Sequence, residues 1–575
     1  MTNLQIAELL RNVAASYQHK QSLKSEFEKD PNKYRFQIIA YNRAADSVEH
    51  ATSELKDLWD DGKLDEVPSI GVSIAKHLDE IFITGKSTHF EKIMKGISNE
   101  AFRLTALSGV GLKTAMKMLQ ELTKSEIKQK LIEADKLINK VKRHLLPYAE
   151  SVASEVTEWL SKCPEIEKID VLGSLRRKTA TVGDIDILAS PKFSINNFQF
   201  SSKQIIEYFI KYPKAQKIIE AGEHTASILL PSNVQVDLLV MNPESYGSAL
   251  QHFTGSKFHN IALREHALKN GFSLSEYGIK SVKNEKTNIK FKTEQELYKF
   301  LKMDYVEPEL REDTGEIEAA INQKLPKLTK LDDIKADLQI HSDFDIQTSH
   351  DLGIDSMEKI IEKGRELGYE YIAFTEHNPS KKGHNEKQVE ELLKRKRERI
   401  DQLNYSREKR IPFVFNSLEI DINKDGSLPI SVKGLETLDF ALVSVHSVFD
   451  LSRNEMTKRV LNALSYPKVK IFAHPTARKI NEREGVELDW PKILNLCLQK
   501  NIWLEINADP MRLDLPDVLV RDAVKRGVKL TLGTDTHEVS MMDNMKYGVN
   551  VARRGWCEKK DIINTLNLKE FKEMI

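Results

Sequence analysis

Cysteine is nearly absent from this chain. Cys163, Cys497 and Cys557 are the only three among 575 residues, too few and too scattered for a disulfide framework or a thiolate metal site. An excess of either charge is missing too: 86 Lys+Arg match 86 Asp+Glu. No global field announces a polyanionic partner, so any such contact must come from local patches. No apolar run nears the ~18–20 residues that span a bilayer. The opening MTNLQIAELLRNVAASY has neither the basic start nor the continuous apolar stretch of a signal peptide. What is present, 40% hydrophobic and 30% charged residues, fits a folded soluble chain. Its length calls for about three to five domains. The expectation is a cytoplasmic, multidomain, non-membrane protein.

Residues 1 to about 145 read as helical, with Leu4, Ile6, Leu9, Leu10 and Val13 at helix spacing. This part divides into 1–85 and 86–145, each holding a similar glycine turn: Val67-Pro68-Ser69-Ile70-Gly71-Val72-Ser73 and Leu107-Ser108-Gly109-Val110-Gly111-Leu112-Lys113. Over 146–240 the pattern changes to β/α, with strand-like runs at 169–173, 185–188 and 234–240. A mixed module spans 241–320 and a linker 321–333. Over 334–575 short apolar runs alternate with charged helical segments, the pattern of an α/β barrel. The fold class expected is multidomain α+β, with helical N-terminal domains, a mixed-sheet domain and a C-terminal barrel. The run Leu393-Lys394-Arg395-Lys396-Arg397-Glu398-Arg399 reads as a solvated helix face. His50, His89 and His144 read as ordinary helix residues.

Three constellations carry chemistry. In the first, Asp184 and Asp186 lie at i and i+2 of a strand, so both carboxylates project from one face. Their repulsion is resolved by a cation, and Asp237 on another strand completes a set suited to two Mg²⁺ ions and phosphoryl transfer if that strand pairs alongside. Upstream, Gly173 and Gly183 let backbone N–H groups approach phosphate, Ser174 can donate to it, and Arg177 can neutralise it.

The run Gly173-Ser174-Leu175-Arg176-Arg177 through Gly183-Asp184-Ile185-Asp186 resembles the palm signature of family X DNA polymerases, members of the nucleotidyltransferase superfamily. Tyr246-Gly247-Ser248 and Phe253-Thr254-Gly255-Ser256 resemble their thumb motif. The resemblance implies a palm over 146–240 and a thumb over 241–320. Asp184 and Asp186 would hold both metals, and Asp237 the ion that activates a primer 3′-OH. Ser174, Arg177 and Gly183 would grip the triphosphate. Phe253, Thr254 and Gly255 would lie against the sugar, while Asn260 and Arg264 contact the nascent base pair. His252 and Leu239 depart from the family pattern.

The second constellation is the pair of glycine turns, similar to helix-hairpin-helix motifs, in which backbone N–H groups meet DNA phosphates without reading sequence. Gly71, Gly109 and Gly111 are the residues implied, and Ser69 makes the first copy the weaker one. In the family this region sometimes carries a Schiff-base lyase. Its lysine slot falls here on His77, which cannot form an imine, and Lys76 lies ~100° away around the helix. Gln37 and Ser73 also replace basic residues. Weak or absent lyase activity is expected.

The third constellation is a set of ligand-type residues at strand ends: His341, His377, Glu419, His446, His474, Asp535 and His537. A barrel gathers such ends at one mouth. Imidazoles with carboxylates suit Mn²⁺ or Zn²⁺ and can activate water against phosphate. These positions resemble the PHP domain of bacterial family X polymerases, which implies a metal-dependent 3′–5′ exonuclease. The family's leading histidine is replaced by Gln339, a poor transition-metal ligand, so one site is expected to be weakened. Asp345 or Asp351 could supply a further acid, and the sequence leaves both open.

Together these readings point to a DNA-directed DNA polymerase filling short gaps in DNA repair, a nucleoid-associated monomer acting on gapped or primer-template DNA and dNTPs. The alternatives are a PHP phosphoesterase using the polymerase module as a DNA clamp, or a non-catalytic DNA-binding scaffold.

Overall fold

A computed structural model describes the chain except residues 2, 22, 24–32, 50–54, 61, 65–66, 68–69, 106, 108–109, 139–142, 193–197, 284–287, 381–382 and 406–411. Gly109, Ser69 and His50 therefore lie outside the described residues. The chain forms two compact units. One holds Met1–Leu175 and Thr181–Leu250, the other Arg176–Ala180 and Gln251–Ile575.

In the first unit, Ile6, Leu10, Val13, Tyr41, Ala44, Leu78 and Phe90 share one core, while Ala101, Leu104, Leu112 and Ala115 build a second. The described residues of the two glycine segments match. Gly71 (φ −73°, ψ 164°) opens helix α1 (Val72–Thr84) and Gly111 (φ −77°, ψ 166°) opens helix α2 (Leu112–Glu121). Ile70 N donates to Val67 O, and Val110 N to Leu107 O, each at 3.1 Å. Neither cap uses a side chain, so the first-turn amides are left to solvent or a ligand. His144 corrects the helical reading: it pairs with Val182 in a short antiparallel ladder.

The mixed sheet of this unit contains β1 (Ile166–Val171), β2 (Ile185–Pro191), β3 (Lys217–Ala221), β4 (Thr225–Leu229) and β5 (Gln235–Val240). Their spatial order is β1-β2-β5-β4-β3. Only the central pair, β2 and β5, runs parallel. Along β5, Val236, Leu238 and Val240 are buried, whereas Gln235, Asp237 and Leu239 lie on the half-exposed face. That period of two is what points an acid outward from a core strand.

The second unit contains a three-stranded antiparallel sheet over Phe272–Ser275, Gly278–Ser281 and Asn288–Ile289. Beside it, buried Glu294 accepts from Arg176 at 2.7 Å and from Arg311 at 2.6 Å. The expected linker region is packed: Thr329 is buried and Leu328 bridges to Glu558.

The remainder is a ring of parallel strands: β6 (Ala336–Ile340), β7 (Tyr371–Phe374), β8 (Phe413–Asn416), β9 (Glu419–Asp421), β10 (Ala441–Ser444), β11 (Val469–Phe472), β12 (Trp503–Asn507) and β13 (Leu530–Gly533). β6-β7-β8 and β9 through β13 form two parallel sheets. Parallel bridges His377–Glu419 and Ile340–Thr536 join them at both seams. The strand interiors are almost wholly buried, as expected for strands covered on both faces.

Lys396 corrects the reading of 393–399 as a solvated face. It is fully buried, with Nζ 2.6 Å from Glu376 Oε2 and bonded to Phe374 O. A buried ammonium needs such a partner because isolated charge is costly in the interior.

Candidate functional site

In the mixed sheet, Asp186 on β2 is the register partner of Asp237 on β5. Asp184 precedes β2, and the three side chains offer carboxylate oxygens all within 4.8 Å of one another. Gln235 Nε2 donates to both Asp237 oxygens, at 3.0 and 3.1 Å, fixing that carboxylate. Three hard oxygen donors converging at the protein surface fit Mg²⁺, which is held by carboxylates and retains water ligands.

Gly173 starts the short helix Gly173–Arg176 at φ 56°. A Cβ there would lie 2.7 Å from Asp186 Oδ2, so a larger residue would strain the backbone and displace the carboxylate. Ser174 follows in that helix. Leu172 N donates to Asp186 O at 2.8 Å, tying the loop to the acid-bearing strand. Gly183 faces Arg143, whose Nη1 would be 3.0 Å from a Cβ. Arg143, bonded to Thr181 through Nε and Nη2 at 3.1 Å each, is a cation that the sequence reading missed.

The second unit holds the other residues implied for the nucleotide. Arg177 Nε donates to Glu312 Oε1 at 2.9 Å and Nη1 to Thr254 O at 2.5 Å. Thr254 is buried and accepts from Arg176 Nη1 at 2.6 Å, while Gly255 is left-handed at φ 70° and Phe253 is partly exposed. Asn260 Nδ2 donates to His252 O at 2.7 Å, and Arg264 Nη2 lies 3.1 Å from His252 Nδ1. His252 therefore carries the two residues implied for the base pair.

In the ring, the strand ends deliver His341, His377, Glu419, His446, His474, Asp535 and His537 to one mouth. Three overlapping sets have metal-ligand spacing: His341–His377–His537, His377–Glu419–His446 and His341–Glu419–Asp535. Glu419 is the hub. Fully buried, it lies 2.7 Å from His474 Nε2, 3.1 Å from His446 Nε2 and 3.3 Å from His341 Nε2. His474 and Asp535 occupy the left-handed region at φ 28° and 55°, backbone strain of a kind that clusters at ligand sites.

The electrostatics follow from dense packing. Burial opposes the charge on His341 and His446, yet the surrounding carboxylates raise both to about 9. Burial and the neighbouring His341 push His537 down to about 4. Burial works against Glu419 ionising, but the imidazoles around it hold it well below the usual carboxylate range. The Nδ1 atoms of His341, His377 and His474 are buried without hydrogen-bond partners. Orphaned buried imidazole nitrogens around an ionised carboxylate fit divalent ions of the Mn²⁺ or Zn²⁺ kind.

Two further residues join this mouth. His350 Nε2 and His446 Nδ1 lie 2.9 and 2.8 Å from Asp421 Oδ1, a fourth set with ligand spacing. Asp421 was detectable in the sequence, standing at i+2 from Glu419 on the same strand; His350 had no such signal. Asp345 accepts from Gln347 N within its own turn. Asp351 acts electrostatically on His537, and neither acid belongs to a set with ligand spacing among the described residues.

Comparison with known proteins places the chain in a family. The DNA polymerase beta thumb family matches residues 249–312. The DNA polymerase/3′-5′ exonuclease PolX of Bacillus subtilis (strain 168) is 31% identical over 564 residues, covering 93% of this chain and 94% of its own. The chain belongs to the PolX family of DNA polymerases. Repair DNA polymerase X of two African swine fever virus isolates, Tick/South Africa/Pretoriuskop Pr4/1996 and Warthog/Namibia/Wart80/1980, is 29% identical over 193 residues. That similarity covers 32% of this chain and 98% of each viral protein. As a PolX-family member the chain is a DNA-directed DNA polymerase with divalent-metal chemistry. Among its described residues no helix is long and apolar enough to cross a membrane.

Proposed function

We propose that this PolX-family chain fills short gaps in DNA during repair, with the mixed sheet as palm, the module around 249–312 as thumb and the parallel ring as a PHP domain. The observation that carries the reading is the in-register pairing of Asp186 with Asp237, with Asp184 alongside. Asp184 and Asp186 would hold two Mg²⁺ ions and Asp237 one of them; when bound, the ions neutralise charge on the attacking and leaving oxygens. The chain's own residues position the reactants. Backbone and hydroxyl donors at Gly173, Ser174 and Gly183, with the Arg177 guanidinium, hold the triphosphate. The turn at Phe253, Thr254 and Gly255 shapes the sugar site, and Asn260 and Arg264 address the nascent pair. Such catalysis is positioning and charge stabilisation without a covalent intermediate.

The first turns of α1 and α2, behind Gly71 and Gly111, contact DNA phosphates. That contact weakens with salt and is indifferent to sequence. The ring supplies metal-dependent 3′–5′ exonuclease activity through His341, His377, Glu419, His446, His474, Asp535 and His537, reduced by Gln339. Primer extension and 3′ resection on gapped DNA test both halves, with Mg²⁺ or Mn²⁺, comparing wild type, Asp186→Ala and His341→Ala. Each substitution should abolish only its own activity. Extension that survives Asp186→Ala would overturn the polymerase site.

A further inference from the structure

We propose that Arg554, a residue of the parallel ring, positions Arg177 for the phosphates of the incoming nucleotide; the inference rests on the reading of Arg177 given above. Arg554 ends helix α3 (Met545–Arg554). Its Nη1 donates to the main-chain oxygen of Arg177 at 2.8 Å and to Glu312 Oε1 at 3.0 Å. The same Glu312 oxygen accepts from Arg177 Nε at 2.9 Å. One guanidinium thus grips Arg177 by its backbone and steadies the carboxylate that aims its side chain.

Arg554 is itself immobilised. Its Nε and Nη2 lie 2.8 and 2.6 Å from Asp517 Oδ2, and its side chain is only 9% exposed. Asp517 opens the ring helix Asp517–Arg526, so the grip is anchored in the ring and not in a surface loop. Neighbouring contacts hold the same junction: Arg553 Nε donates to Glu309 Oε1 at 2.9 Å, and Trp556 packs into the core shared with Leu297 and Tyr298.

The backbone next to Arg177 needs such support. Lys178 sits in the left-handed region at φ 55°, uncommon for a lysine and maintained only where surroundings over-determine it. The two hydrogen bonds of the Arg177 side chain engage two of its five N–H donors and fix the plane of the fork. Without Arg554, Glu312 loses one of its two cations and the Arg177 carbonyl loses its donor. The guanidinium then loses its aim while the three palm carboxylates keep theirs. The ring would thereby serve polymerisation as well as its own metal chemistry.

Single-nucleotide insertion into gapped DNA by the full chain tests this, with kcat and the dNTP KM read separately for wild type, Arg177→Ala, Arg554→Ala, Arg554→Lys and Glu312→Gln. Misplacing a positioning group by an ångström costs up to ~100-fold. Arg554→Ala should therefore raise KM roughly tenfold, in the same direction as expected for Arg177→Ala. Arg554→Lys should recover part of the loss. The double variant Arg177→Ala/Arg554→Ala should be no worse than Arg177→Ala alone, because the two act as one unit. Glu312→Gln, at a more exposed site, gives the same reading should Arg554→Ala fail to fold. A raised KM in Arg177→Ala with none in Arg554→Ala or Glu312→Gln overturns the role of Arg554 and leaves the polymerase reading intact. An unchanged KM in Arg177→Ala removes the phosphate role of Arg177 itself, and the inference with it.

Discussion

Gln339 Nε2 donates to Glu419 Oε2 at 2.9 Å, at the centre of the ring's histidine cluster. Its Oε1 in turn accepts from Asn507 Nδ2 at 3.2 Å. The carboxamide is satisfied on both sides by protein, and it offers a donor where a metal ion would need a lone pair. Asn507 also donates to Asp535 Oδ2 at 3.1 Å, and Arg512 Nε lies 3.3 Å from the same oxygen. Asp535, a member of the set with His341 and Glu419, thus has protein cations and donors partly in the place of an ion.

Gln339→His should restore a ligand to that set. Losing a group that merely orients a ligand costs 10–100-fold in metal affinity, so gaining a ligand should increase 3′ resection roughly tenfold or more. Bound metal per chain should rise with it. Elemental analysis and a resection assay check this, and unchanged values in both would show that Gln339 does not weaken the cluster.

Asp186→Asn keeps the side-chain volume and removes one charge from the palm set. Primer extension should fall by at least roughly 100-fold, the scale of losing one preorganised electrostatic group. Resection should stay within about twofold, because the ring's cluster shares no residue with the palm set. Parallel loss of both activities would point instead to a folding defect.

Glu294 gives the thumb an acid-sensitive joint. Burial works against its ionisation, but Arg311 and Arg176 pull its pKa from 4.5 down to about 2. A depressed folded-state value stabilises the fold above pH ~4.5, and the contribution disappears as pH falls through about 2. At neutral pH it amounts to about 3 kcal/mol. Glu294→Gln should destabilise the protein by about 3–5 kcal/mol, leaving buried Arg311 uncompensated. It should also flatten the pH dependence of the melting temperature between about 4.5 and 2. A wild-type-like slope in the variant would refute the assignment.

His77 stacks on His89 with ring centroids 4.3 Å apart, and His89 Nε2 lies 2.9 Å from Tyr17 Oη. No amine stands at that position. Borohydride treatment with a 5′-deoxyribose-phosphate substrate should therefore trap little or no covalent adduct, as gel analysis would reveal. Efficient trapping would place a competent lysine elsewhere in the domain.

Much of the architecture was legible along the chain because its signals are local. The Asp-x-Asp spacing exposed Asp184 and Asp186, although Asp184 stands in the bend just before its strand; glycine spacing marked the helix starts at Gly71 and Gly111, and each ring ligand followed an apolar run. Other features were opaque because they join residues far apart in sequence. Lys396 looked solvated within a charged run until Glu376 closed over it, and no spacing links His350 to Asp421 or Arg143 to Gly183.

By itself, the order of residues determined which side chains could do chemistry here, since a carboxylate, an imidazole or a flexible glycine carries its capacity wherever it lies. Only the tertiary structure decided which of them meet. It set Asp186 against Asp237, made Glu419 the hub of the histidines and brought Arg554 onto Arg177. Strand register, ring closure and burial set those distances, and they depend on contacts between segments hundreds of residues apart.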